Sequence, residues 1–347
     1  MAKIDWQRVE AGLVRDRHRI VWRPYGAPTI GDLERTAFHD VPISAPWDIP
    51  DRLIVSVAIT GAFFRPPQNP KQPLSVEEIR ESARTVLDAG ASTVHIHVRD
   101  DRGYNVLSFE RFKAVIEPLK NEYPDLFVDG CLVPAADGEW DEMKRVLAAK
   151  ILDGAPVNPT ASYVGDSMFV KPTPLLMEKT RLILEAGALP EIAVYTDADV
   201  SNADRYLIRS SLVKTPAVWL ILPALPGCSP MNNPRQMVEG LMRTAGAIRD
   251  IDDRALILVC AAGRASMALA TFAASIGLHI RVGMEDTYFL WPHRETKIES
   301  NLQPFSLGAK LAEVVGRPVA TRVEYRKMLG LAPVSASPHS GRQAGSV

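Results

Sequence analysis

The sequence predicts a closed (β/α)8 TIM barrel, and three observations lead to it. From residue 51 onward, eight short runs rich in apolar and β-branched residues alternate with segments of helical period. Nearly all these runs are apolar through their middles, which is how parallel strands read when both faces are covered. At 347 residues the chain exceeds the usual size of a single core, yet barrels of alternating strands and helices often reach this length as one domain. An open doubly wound sheet is the alternative. It calls for a Gly-x-Gly-x-x-Gly turn after an early strand, and Thr60-Gly61-Ala62-Phe63 is not one.

Taken in order, residues 1–50 read as an N-terminal arm. It holds a short helix through Trp6, Val9 and Leu13, then the stretch from Trp22 to Pro28 and further prolines at 42, 46 and 50, too dense for regular ladders. The arm either wraps another surface or a neighbouring subunit, or is loosely ordered. The catalytic barrel is expected over 51–331. Leu53–Ile59 is its first strand, and Ser75-Val76-Glu77-Glu78 opens a helix to about Ala89 with a capping-box pattern. Ser92–Val98 is the second strand, with a helix near 108–121; Leu126–Cys131 is the third, with a helix near 139–149. A weaker fourth strand at about 150–157 precedes a helix from Pro172 to Ala186. Glu191–Tyr195 is the fifth, with a helix over 201–213; Ala217–Leu222 is the sixth, with a helix over 234–249. Ala255–Cys260 is the seventh, with a helix from Arg264 to Ile276; His279–Glu285 is the eighth, with a helix near 300–315. Residues 332–347, rich in Ser, Pro and Gly, read as a flexible tail.

The bulk numbers narrow the partners. Lysine and arginine number 40 against 41 aspartates and glutamates, a formal net charge of −1, so no global field draws in nucleic acid or an anionic membrane. Cys131, Cys228 and Cys260 are widely spaced, odd in number and free of C-x-x-C pairing. That argues against a disulfide framework and a thiolate zinc cage, and a cytoplasmic location fits best. Met1–Arg8 has no apolar signal core, and no run approaches the roughly 20 apolar residues of a membrane span.

The chemistry centres on His95-Ile96-His97 in the second strand. Residues two apart on a strand point the same way, so both imidazoles can reach one ion. Both must then be neutral, and their desolvation must be offset by the metal or by hydrogen bonds. The alternative is two histidines satisfied by backbone carbonyls and packing. In a closed barrel the eighth strand lies beside the first, which lies beside the second, so the ends of strands two and eight share one mouth, where this fold carries catalytic groups. Glu285 and Asp286 end strand eight, and Arg281, Gly283 and Glu285 share a face by the two-residue period, with Gly283 leaving room for a metal or ligand. Two imidazoles and one carboxylate with an open position are a common zinc set. Arg281 is also open to a purely structural pairing with Glu285 or Asp286. Arg99 and Asp100 read as a loop ion pair, and His279, at the start of its strand, as structural. Gly263-Arg264 either binds an anion at a helix N-terminus or simply starts that helix.

These residues resemble the β-keto acid cleavage enzymes. The resemblance runs over about 53–331 through Ala58-Ile59-Thr60-Gly61-Ala62, Leu74-Ser75-Val76-Glu77-Glu78, His95-Ile96-His97-Val98-Arg99-Asp100, Pro190-Glu191, Pro226-Gly227, Gly263-Arg264, His279-Ile280-Arg281-Val282-Gly283-Met284-Glu285-Asp286 and Ser300-Asn301. It implies a zinc-binding (β/α)8 barrel, usually a homo-oligomer (dimer or tetramer), that condenses a β-keto acid with acetyl-CoA and splits the adduct to acetoacetate and a new CoA thioester. Carried over, the zinc ligands are His95, His97 and Glu285. Arg281 matches the arginine that contacts the substrate carboxylate region, and Asp286 the aspartate that orients or activates.

The departures from the family fall in the substrate pocket. Phe63 stands where the family has a glutamate reading a substrate amino group, so an ammonium-bearing substrate is disfavoured. Cys131 stands where a serine near the reacting centre is usual, and either acts in its place or is an inert filler. Pro156 replaces a threonine while Asn158 persists, and Ala193-Val194-Tyr195-Thr196 replaces an acidic Glu-x-Tyr-Glu. Two other readings remain open. One is a metal-dependent barrel hydrolase, which usually wants further histidines that strands five and six do not offer. The other is a zinc-binding barrel that has lost catalysis.

Overall fold

The computed structural model of the chain describes residues 3–16, 37–164, 167–223 and 233–332. It divides into two compact units, Met1–Asp48 and Ile49–Val347. In the first, the expected short helix is α1 (Trp6–Asp16), and the Asp5 N–H donates to the Phe38 carbonyl at 2.7 Å beside a bridge between Ile4 and His39. The expectations for Trp22 to Pro28, for Pro226-Gly227, for Cys228 and for the tail from 333 concern residues outside those described.

In the second unit, eight parallel strands close into a barrel. They are β1 (Val55–Ala58), β2 (Thr93–Ile96), β3 (Val128–Gly130), β4 (Gly154–Val157), β7 (Leu189–Val194), β8 (Val218–Ile221), β9 (Leu256–Cys260) and β10 (His279–Val282). Closure is made at β1, where Val55 pairs with Ile280 of β10 and Val57 with Val94 of β2. The weakly patterned stretch at 150–157 does become a strand, joined to β3 through Asp129 and Gly154. A second small sheet, the antiparallel hairpin β5 (Ala161–Val164) and β6 (Ser167–Val170), lies in the segment after β4, where no strand was expected.

Helices α2 (Val76–Asp88), α3 (Phe109–Glu122), α4 (Glu139–Ala148), α5 (Thr173–Glu185), α6 (Asp197–Ala203), α7 (Pro234–Ile251), α8 (Ser266–Ser275) and α9 (Leu302–Val314) follow the successive barrel strands, and α10 (Arg322–Met328) ends the unit. α2 shows why they form where they do. Ser75 and Glu78 make a reciprocal capping box, worth about 1 kcal/mol, and Ile79, Ala83, Val86 and Leu87 bury one stripe. The helix expected over 201–213 instead starts at 197 and gives way to a π-turn over Asp204–Ile208. A second capping box, Thr196 with Asp199, starts it early, and the carboxylates of Asp197 and Asp199 sit in the first turn, where a helix favours them.

Inside the barrel, Ile54, Phe127, Val218, Leu258 and Tyr325 form one apolar cluster. Tyr325 of α10 packs edge-on against Phe127, ring centroids 5.4 Å apart, and the Ala320 N–H donates to the Leu53 carbonyl at 2.8 Å. The amino-terminal mouth is thus plugged by α10 and its lead-in, and the polar groups gather towards the carboxyl-terminal mouth.

Candidate active site

His95 is the next-to-last residue of β2 and His97 the first beyond it, and both are buried. Parallel pairing sets His95 opposite Asp129 of β3, and His95 Nδ1 meets the Asp129 carboxylate. His97 Nδ1 lies 2.7 Å from Asn105 Oδ1. With each Nδ1 engaged, each Nε2 faces Glu285: His95 Nε2 is 3.3 Å from Oε2 and His97 Nε2 is 3.4 Å from Oε1. The potential ligand atoms of the three residues all lie within 4.8 Å of one another.

Glu285 reaches this point differently from a simple strand alternation. β10 stops at Val282, and Gly283 turns the chain at φ +138°; a Cβ there would stand 2.2 Å from the Ala58 carbonyl oxygen. Gly283 therefore serves a close approach of backbone to β1, not the ligand space first expected of it. The space beside Glu285 comes from Gly61, where a Cβ would lie 2.4 Å from Glu285 Cγ. The loop is tied down by Asn301, whose Oδ1 accepts from the Met284 N–H at 2.8 Å and whose Nδ2 donates to the Ile59 carbonyl at 2.8 Å.

Arg281, 2 % exposed, donates from Nη2 to Glu285 Oε1 at 3.0 Å and from Nε to Asp286 Oδ2 at 2.9 Å. Burial alone would push the Glu285 carboxyl up, but the Arg281 guanidinium and then the two imidazoles overrule it and hold the group well below the usual carboxylate range. Burial likewise disfavours the imidazolium of His95, and the Glu285 and Asp129 carboxylates outweigh it and raise its pKa. A site that favours a proton on these rings favours a cation between them. Glu285 Oε2 is buried with no hydrogen-bond partner, a costly state that a bound cation relieves. Two imidazole Nε2 atoms, a carboxylate, and a hydrogen-bonded Nδ1 behind each ring are a donor set that fits a divalent metal.

The triad opens on a cavity of about 270 Å³ lined also by Phe63, Asn105, Cys131, Pro156, Asn158, Phe169, Ala193, Arg281 and Asp286. Of the candidate site residues His95, His97, Glu285, Arg281, Asp286, Cys131, Phe63, Asn158 and Arg264, the structure brings the first eight together at this cavity. The ninth, Arg264, does not line this cavity: its guanidinium lies 3.5 Å from the Phe289 ring centroid and pairs with Glu295 at 2.7 Å. Gly263–Ala265 form a short 3-10 turn leading into α8. Arg99 makes no pair with Asp100; it is buried and donates to the Gly103 carbonyl at 2.9 Å and the Phe64 carbonyl at 3.1 Å, pinning the loop that carries Phe63. His279 is structural, its Nδ1 accepting from the Ile54 N–H at 3.1 Å. The Cys131 thiol contacts the His97 ring; burial pushes the thiol up, and His97 more than offsets this, bringing it to about 7.

Three residues at the site received no role from sequence: Asp129, Asn105 and Glu191. Glu191 of β7 is buried against Asp129, and burial followed by that carboxylate keeps its own carboxyl protonated far above the usual range. Both acids stand in otherwise apolar strands, where a carboxylate persists only if it is paired; that was the available signal. Asn105 lies in a polar loop and gave none.

The β-keto acid cleavage enzyme family model matches residues 52–331. The 3-keto-5-aminohexanoate cleavage enzyme of Acetoanaerobium sticklandii is 30% identical over 281 residues, covering 81% of this chain and 99% of that protein. The 3-oxoadipate:acetyl-CoA acetyltransferase of Cupriavidus necator is 28% identical, covering 80% of this chain and 94% of that one. Among solved structures, apo ObcA superposes with a TM-score of 0.65 at 18% identity, covering 76% of this chain and 66% of that one, a likeness of fold. With the barrel, the triad and the match over most of its length, the chain belongs to the β-keto acid cleavage enzyme family.

Proposed function

We propose that this protein is a zinc-dependent enzyme that condenses a β-keto acid with acetyl-CoA and releases acetoacetate and a new CoA thioester. The observation that carries the reading is the convergence of His95 Nε2, His97 Nε2 and an orphaned Glu285 oxygen at the floor of a cavity that also holds Arg281 and Asp286. Family membership and the acetyltransferase named among the relatives support it. Zinc held by His95, His97 and Glu285 would act as a Lewis acid on the substrate's keto oxygen.

The overall exchange balances without a further reactant. A proton leaves the α-carbon of the keto acid, and a bond forms between that carbon and the acetyl carbonyl carbon as the acetyl–sulfur bond breaks. The bond from the α-carbon to the original keto carbon then breaks as the freed acyl group passes to the CoA sulfur, and a proton returns to the α-carbon of acetoacetate. Negative charge therefore builds next to a carboxylate. Arg281 answers that charge from a buried position where electrostatic stabilisation is strong, and Asp286, bonded to its Nε, orients the guanidinium. Asp129 and Asn105 fix the tautomers of His95 and His97 so that both Nε2 atoms stay free to bind. Cys131, beside His97 and on the cavity wall, is placed to hold or pass a proton at Sγ. Phe63, half-exposed at the rim, offers no charge to an ammonium group, so the pocket disfavours the amino-substituted acid and leaves Asn158 as its uncharged polar contact.

The test is an assay of the purified zinc-loaded protein with acetyl-CoA and a panel of β-keto acids, read as acetoacetate release. Release that disappears in His97→Ala together with the bound zinc supports the reading. No release with any acid, zinc being present, rejects it.

A further inference from the structure

Beside the metal cavity, between the segments that follow β3 and β4, lies a second pocket of about 130 Å³ that shares Val133 and Asn158 with it. Two lysines line it. Lys179 of α5 is 8 % exposed, and its Nζ donates to the Pro156 carbonyl at 2.8 Å; Lys171 is half-buried, its Nζ 4.7 Å from the centroid of Phe169, which itself faces the metal cavity. Among the described residues no carboxylate pairs with either ammonium. Burial is the main influence pulling the Lys179 ammonium down to about 8, with Lys171 adding to it against a partial offset from Cys131. The third element is the start of α5, which has Pro172 and Leu175 at the pocket, no side-chain cap and no acid in its first turn; Pro172 and Pro174 carry no N–H, so the N–H groups that add positive potential there are those of Thr173 and Leu175.

Buried cations are ordinarily paired. One buried and one half-buried ammonium with no carboxylate partner on one pocket, beside an uncapped helix start, make a site lacking an anion. The pocket falls well below the roughly 300 Å³ of an ordinary small-molecule site, so it suits a carboxylate head rather than a nucleotide. We propose that Lys171 and Lys179, with the N-terminus of α5, bind a carboxylate at the far end of the β-keto acid, so that the substrate is a dicarboxylic β-keto acid. This rests on the function proposed above.

Initial rates with acetyl-CoA decide it, using the full-length zinc-loaded protein and acids matched in length: 3-oxoadipate against 3-oxohexanoate, and 3-oxopimelate against 3-oxoheptanoate. For at least one pair, kcat/KM for the dicarboxylate is expected to exceed that for the monoacid about tenfold to a hundredfold. Lys171→Met should bring the ratio to near one, and Lys171→Arg should restore most of it. Equal or faster turnover of the monoacids overturns the proposal while leaving the proposed function standing. So does a Lys171→Met effect confined to the KM for acetyl-CoA, which would assign the anion to the coenzyme. If no keto acid is turned over, the proposed function fails, and calorimetry of glutarate and adipate binding reads the subsite by itself. Binding lost in Lys171→Met, and in Lys179→Met with an unchanged circular dichroism spectrum, sustains the subsite; no binding to the wild type removes it.

Discussion

Asn105 and His97 are joined through the amide oxygen and Nδ1 at 2.7 Å, whereas its neighbour His95 leans on the carboxylate of Asp129. The two imidazoles are therefore unequal. A carboxylate behind a ligating ring raises its basicity and holds it firmly; a neutral amide fixes the tautomer and adds little charge. His97 is the ring backed at Nδ1 by an uncharged amide from a loop.

Asn105→Ala should accordingly weaken metal binding about tenfold to a hundredfold with the barrel intact. Competition with a chelator of known zinc affinity measures it. Unchanged affinity would mean that packing alone orients His97.

Two glycines that look alike in sequence should behave differently. Gly283→Ala drives a Cβ onto the Ala58 carbonyl oxygen in a backbone conformation that L side chains rarely adopt, and neither partner is free to move. A loss of several kcal/mol, on the order of 3 or more, is expected in chemical denaturation. Gly61→Ala meets the Glu285 side chain instead, so the fold should survive while the carboxylate is displaced; the readout is a near-wild-type unfolding midpoint in the chelator-treated protein with reduced zinc content.

His279 supplies a pH dependence away from the site. Burial first, then Arg317 and Arg249, depress its pKa from 6.5 to about 3. Because the folded value lies below the unfolded one, the unfolded chain takes up the proton first. Stability contributed by neutral His279 is complete above about 6.5 and is lost as pH falls towards 3, by roughly 3 to 5 kcal/mol over the window. His279→Asn keeps an acceptor for the Ile54 N–H and removes the titration, so the slope of unfolding free energy against pH should be shallower between 6.5 and 3 than in the wild type.

The barrel was legible because its signal is repeated: eight apolar runs each answered by a helical period leave few architectures, and His-x-His at the end of one run marks the mouth. The hairpin at 161–170 was not legible, since its side chains are largely exposed and carry no burial pattern. Within the site, His95, His97 and Glu285 were singled out by residue type, but the path of Glu285 was misjudged because strand alternation was carried three residues past the end of β10. Asn105 illustrates the remaining limit: a loop amide acquires its role from the ring it meets, and nothing in its neighbours along the chain encodes that meeting.

Arg281 ties these observations to stability. It lies buried between Glu285 and Asp286 and donates to both. Removing one partner of such a cluster strands buried charge, which ordinarily costs about 3 to 5 kcal/mol. A divalent ion at His95, His97 and Glu285 would compensate one of the two carboxylates, so the penalty of Arg281→Met should depend on metal. Chelator-treated Arg281→Met should lose the larger part of its stability relative to chelator-treated wild type, and saturating zinc should recover more stability for the variant than for the wild type. Thermal unfolding of both proteins with and without zinc gives the four values needed. An identical zinc-induced shift in both would show that Arg281 and the metal do not share Glu285, and the site would have to be redrawn.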